Sequence, residues 1–150
     1  MDTKNLVKAL QEQEDNLQMF LDSLLKHQKA LIEHDLPVMN EAIIFEGKII
    51  KDITALDKEI LKTMHHLSEQ YSLRLASTKL LDFTKAIKKM STNDYVSLLQ
   101  LQKSIRKLLV KIKTVNSQNS MLIMNARNFI KQTFSSLVGV NKDPILDRRV

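Results

Sequence analysis

Leu10, Leu17, Leu24 and Leu31 recur at heptad spacing, with Leu6, Gln13, Phe20 and His27 between them. Residues at these intervals share one face of a helix, and neither Gly nor Pro interrupts the run from Thr3 to about His34. Leu21, Leu25 and Ile32 widen the apolar stripe beyond a simple two-stranded seam. The pattern stops at Asp35-Leu36-Pro37. Proline disfavours the helical conformation in the residue before it and has no N–H to donate to the preceding turn. Asp35 is then the expected N-cap of a second helix, with Pro37 tolerated in its first turn.

The second run extends from Val38 to about Tyr71, with apolar positions at 42, 45, 49, 53, 56, 60, 64, 67 and 71. Its 3, 4, 4 spacing repeats every eleven residues, which keeps the stripe on a nearly straight rod. The short connection and matched lengths predict an antiparallel hairpin of two rods, each on the order of 50 Å. A weaker patch at Ser72–Ser77 leads to a short helix over 78–90, with Leu80, Leu81, Phe83, Ile87 and Met90 inward. Ser91-Thr92-Asn93-Asp94 then supplies N-capping side chains for the last helix. Leu98, Leu101, Ile105, Leu108, Ile112 and Val115 alternate by three and four, and the same register continues through Asn119, Leu122, Ala126, Phe129 and Thr133.

The predicted fold is all-α: an elongated antiparallel bundle of three long helices with one short connecting helix. Helices are expected over about 3–34, 37–71, 78–90 and 93–138 of a single domain spanning 1–139. Gly139 is the expected C-cap, and 140–150 with Pro144 a flexible tail.

Composition narrows the chemistry. Only 2 Gly and 2 Pro occur in 150 residues, which leaves nothing to build a barrel of short strands or a Gly-rich phosphate loop. With no cysteine, thiol catalysis and thiolate metal sites are excluded. The first residues lack the basic-then-apolar order of a secretory signal, and no apolar run approaches the ~20 residues that span a bilayer. The four histidines, His27, His34, His65 and His66, do not supply the paired Glu-x-x-His motifs of a di-metal bundle. No Ser-His-Asp constellation or nucleophile elbow is legible, so neither catalysis nor a cofactor is expected.

Charge is distributed unevenly: residues 1–35 carry a net −3 and residues 75–131 a net +9. The basic stretch containing Lys79, Lys85, Lys88, Lys89, Lys103, Arg106, Lys107, Lys111 and Lys113 has few aromatic side chains to stack on bases, so nucleic acid is not the expected partner. Either it faces an acidic partner or it complements the acidic first half within the fold.

The segment Val115–Val138 is unusual. Asn116-Ser117-Gln118-Asn119-Ser120 puts amides and hydroxyls on every face, including the core register at Asn119, as where a bundle loosens or ends. Met121, Leu122, Ile123 and Met124 then cover every direction around the helix, and Ala126, Phe129, Ile130, Phe134, Leu137 and Val138 extend the apolar surface. One reading closes this end onto Leu6–Phe20 and the far end of the second helix. The other lets the helix project and dock an amphipathic helix of a partner.

The Leu-patterned first helix, the break at Asp35-Leu36-Pro37, Lys48, the pair Leu56-Asp57 and above all Asn116-x-x-Asn119-x-x-Leu122-Ile123 resemble the FlgN-type flagellar export chaperones. The resemblance spans nearly the whole chain. It implies a cytoplasmic, non-enzymatic bacterial protein that holds hook-filament junction (hook-associated) proteins unpolymerised before type III export. It places partner binding in the C-terminal helical region, here Val115, Asn119, Leu122, Ile123, Ala126, Phe129, Ile130 and Phe134. It further implies contact with export apparatus components, and the free protein is expected to be a monomer or weak homo-oligomer without stable membrane insertion. The alternative is a helical adaptor that self-associates through its C-terminal helix and has no export role.

Overall fold

The computed structural model describes residues 2–138. It contains α1 (Lys4–Glu33), α2 (Leu36–Gln70), α3 (Leu80–Ile87) and α4 (Thr92–Val138). No strand occurs among the described residues, in line with the all-α class. Gly139, expected as a C-cap, and the tail expected over 140–150 lie outside them.

The first reversal forms where proline predicts it. His34 adopts the left-handed conformation (φ 56°), and the Asp35 N–H donates to the Ala30 carbonyl at 2.9 Å, closing the end of α1. Asp35 then caps α2 by accepting the Val38 N–H at 3.2 Å. The two rods run antiparallel and are tied by polar groups within an otherwise apolar contact. Gln13 donates its amide to the Ile53 carbonyl at 3.2 Å and to Asp57 Oδ1 at 2.5 Å. Nearer the reversal, His27 Nδ1 lies 3.1 Å from Glu46 Oε1.

α3 is about 12 Å long and packs at the end of the rods where α2 stops. α4 starts at that same end and runs parallel to α1. Thr3 Oγ1 donates to Asp94 Oδ1 at 2.5 Å, Ser104 donates to Glu14, and Gln28 Nε2 donates to Gln118 Oε1 at 3.0 Å. The three long helices alternate in direction, and the topology is up-down-up.

At this base, one core gathers Leu6 and Leu10 from α1, Leu56, Ile60, Met64 and Leu67 from α2, and Leu98 and Leu101 from α4. Phe83 and Ile87 of α3, both fully buried, fill it from the open side. Further along, a second core joins Leu17, Leu21 and Leu24 to Leu108 and Val115. Both α2 and α4 pack chiefly on α1, with little direct contact between them.

That arrangement corrects several inward positions expected from spacing. Leu25, Ile32 and Phe45 are exposed, because α1 and α2 each lose neighbours on their flanks above α3. Met90 is exposed as well, since α3 ends at Ile87 and the chain turns before it. Gly47 lies in open surroundings, with nothing within 4 Å of where a Cβ would stand.

The α4 N-terminus is anchored through Asp94. The Ser91 hydroxyl, and next to it that of Thr3, hold its carboxyl below the usual aspartate range.

Replacing Phe83 by Ala should cost about 3–5 kcal/mol in urea unfolding, since it empties the wedge of the base core. A loss below about 1 kcal/mol would mean that α3 is not integral to the fold. Because folding depresses the Asp94 pKa, its stabilisation is present at neutral pH and is lost as pH falls below the ordinary value of about 4 and through the folded value. The urea midpoints of the native protein and Asp94→Asn should accordingly differ slightly at pH 7 and converge on acidification. A gap that widened in acid would contradict this origin.

Candidate partner-binding site

α4 is longer than the helix it packs on. Two ties, Glu14 with Ser104 and Gln28 with Gln118, each join residues 90 apart, so the last residue of α1, Glu33, stands level with about residue 123. Some 14–15 further residues of α4, roughly 21 Å of helix, extend past the α1–α2 reversal.

The last buried contact before the overhang is polar. Asn119 is 3% exposed and donates its side-chain amide to the Leu24 carbonyl at 3.0 Å. Of the two readings of the amide-rich segment, a loosening or an end of the bundle, the structure has the end: Asn119 ties α4 to α1 one turn before the bundle stops. A single bond of this kind contributes about 1 kcal/mol and penalises any shift of α4 along α1.

The structure divides the eight residues assigned from the sequence. Val115 packs on Leu17, Leu21 and Leu24, and Asn119 on α1, so both are turned into the bundle. Leu122, Ile123 and Phe134 are half-buried, whereas Ala126, Phe129 and Ile130 are exposed, Phe129 by 68% and Ile130 by 57%. Leu122, Ala126 and Ile130 continue the face that carries Val115 and Asn119 lower down. The stripe that binds α1 therefore runs on past the end of α1, and no helix among the described residues covers it. The reading in which this end closes onto Leu6–Phe20 is ruled out, because the parallel course of α4 carries it to the opposite end of the rods.

Two apolar residues not assigned to the site stand at the same end: Ile32, 63% exposed, and Leu36, 65% exposed. Spacing placed Ile32 inside the bundle, and Leu36 carried no signal beyond its position before Pro37. Nearby, Met121 and Met124 are exposed too, and their flexible thioether chains adapt to an irregular surface.

Among the described residues no group of His, Asp or Glu is arranged to hold a metal ion. No described helix is long and apolar enough to cross a membrane. His27, on the heptad stripe of α1, is buried against Glu46 and serves the α1–α2 contact.

These features define an all-α bundle that presents an uncovered apolar helix at one end. A family model described as FlgN protein matches residues 1–146, and the chain belongs to that family of flagellar export chaperones. No curated protein and no solved structure matches the chain.

Amide hydrogen exchange should separate the two parts of α4. Amides beyond about residue 125 should exchange much faster than those between Leu98 and Asn119, because only the latter are backed by α1. Uniform protection along α4 would show that the overhang is covered in the free protein.

Proposed function

We propose that this protein is a cytoplasmic export chaperone that binds and masks the amphipathic terminal helix of flagellar hook-filament junction proteins. The observation that carries the reading is the uncovered continuation of the α1-binding stripe on α4 beyond the end of α1. Membership of the FlgN family supports the flagellar setting.

The physical mechanism is masking. A junction subunit that polymerises through terminal amphipathic helices is kept monomeric when those apolar stripes are buried against another chain. In the bundle, α1 performs that service for the lower part of α4; in the complex, the cargo helix takes the place of α1 along Leu122, Ile123, Ala126, Phe129, Ile130 and Phe134. Val115 and Asn119 act from within the bundle by fixing where the overhang begins.

Burial of Leu122, Phe129 and Ile130 contributes about 1.5–3 kcal/mol each, against association costs of about 4–15 kcal/mol. These three side chains alone do not offset that cost, so micromolar to nanomolar binding, about −8 to −12 kcal/mol, requires the whole stripe from Leu122 to Phe134 against the cargo's own apolar face; such binding is firm enough to hold cargo and weak enough for release at an export apparatus.

Calorimetry with the C-terminal helical peptides of the same organism's junction proteins tests the assignment. Saturable binding should be lost in Leu122→Glu and Phe129→Glu, and the thermal unfolding of Phe129→Glu should stay close to that of the native protein, since its side chain is outside the core. Retained binding in both folded variants would reject the site. A protein that binds no peptide and forms a fixed oligomer in light scattering would be the self-associating adaptor instead.

A further inference from the structure

Much of the basic charge of α4 has no acidic counterpart among the described residues. Every ion pair among the described residues lies on α1 and α2. Lys103, Arg106, Lys107 and Lys111 are exposed and have no carboxylate within ion-pair distance among those residues. From 75 to 131 the chain carries only two acidic side chains, and both are engaged by hydroxyls: Asp82 accepts from Ser77 and Asp94 from Thr3.

These cations do not stand alone. Val96, Leu99, Lys103, Arg106, Val110 and Lys113 follow one another at spacings of three and four, which sets them on one face of α4. That face is opposite the one carrying Leu101, Leu108 and Val115 against α1. Val96 and Val110 are exposed, the latter by 59%. Where α3 begins, Leu81 and Leu99 wall a concave surface of about 990 Å³ that also includes Arg106, Lys107 and Val110. α4 is thus amphipathic twice, once toward α1 and once toward solvent.

We propose that this outward face of α4 is a second docking surface, distinct from the overhang, that takes an acidic amphipathic helix of a protein partner. Charge complementarity selects the occupant. Apolar side chains set singly between lysines and arginines match a helix whose leucine-type ridge is flanked by glutamates or aspartates, the arrangement of a mixed-charge coiled-coil seam. A bilayer asks for a broad continuous apolar face, which these isolated valines and leucines do not form. Nucleic acid asks for stacking aromatics, and the Tyr95 ring beside this face is already covered by the Lys88 ammonium at 5.3 Å.

The test uses the full chain and a labelled synthetic peptide of about 25 residues, with leucines at heptad a and d positions and glutamates at e and g, in fluorescence anisotropy. The peptide should bind, with affinity falling several-fold as NaCl rises from about 50 to about 300 mM. Lys103→Glu/Arg106→Glu and, separately, Val110→Asp should each weaken it by about tenfold or more with unchanged circular dichroism, whereas Phe129→Glu should leave it within about twofold. Failure of the overhang as a cargo site would not alter these results, since Phe129 lies outside the face. The proposal is overturned if both substitutions on this face leave the affinity unchanged. It is equally overturned if a scrambled peptide of the same composition binds as well, or if phosphatidylserine vesicles bind and the peptide does not.

Discussion

The length of α1 governs the rest of this structure. α1 is the one long helix on which both of the others pack, so its end decides where each loses its cover. That end is set locally, by the left-handed turn at His34 and the capping carboxylate of Asp35 before Pro37. α4 passes the stop by some 14–15 residues without any change in its own helical pattern. The proposed binding surface follows from a mismatch of lengths alone, with no special pocket and no strained backbone there.

For the mismatch to be reproducible, α4 must not slide. An apolar heptad seam tolerates shifts by a whole repeat, because one leucine-sized knob resembles the next. The ties between Thr3 and Asp94, Glu14 and Ser104, Gln28 and Gln118, and Asn119 and the Leu24 carbonyl remove that tolerance at four levels of the rod. Each contributes little to stability, and the exposed ones contribute least. Their shared effect is registry: a one-repeat slip would unpair the buried Asn119 amide and draw the overhang into the bundle or push more core outside.

Much of this is legible in the sequence. The two helix breaks, the inward register of α1 and α4 and the short α3 follow from proline, capping residues and spacing. What spacing does not carry is the number of neighbours around each helix. Phe45 and Ile32 obey the apolar period and are exposed, because a period identifies a face without saying whether anything stands opposite it. Val115 and Asn119 were grouped with the partner site by their place in one motif, yet the register of α4 on α1 turns them inward. His27 falls on the heptad stripe of α1, whereas its partner, Glu46, on the other rod carries no signal in the spacing. Nor does spacing carry the direction of α4: the residues joining α2 to α4 are long enough to serve either course, and the parallel one is fixed by the ties of Thr3 to Asp94 and Gln28 to Gln118.

The charge asymmetry completes the picture in a different way from the apolar stripes. If the basic second half merely balanced the acidic first half, ion pairs would cross between α4 and the hairpin, and the short polar contacts that do cross are hydroxyl and amide bonds. Lys103, Arg106, Lys107 and Lys111 lie exposed on α4, without an acidic side chain of α1 or α2 at ion-pair distance. Their electrostatic work is therefore directed outward, where it acts on encounter rates and on the choice of partner more than on folding. A chaperone that must hold one chain and yet be found by another benefits from recognising the two by different physics. An uncovered apolar end suits slow release, and a charged, grooved flank suits fast, salt-sensitive association.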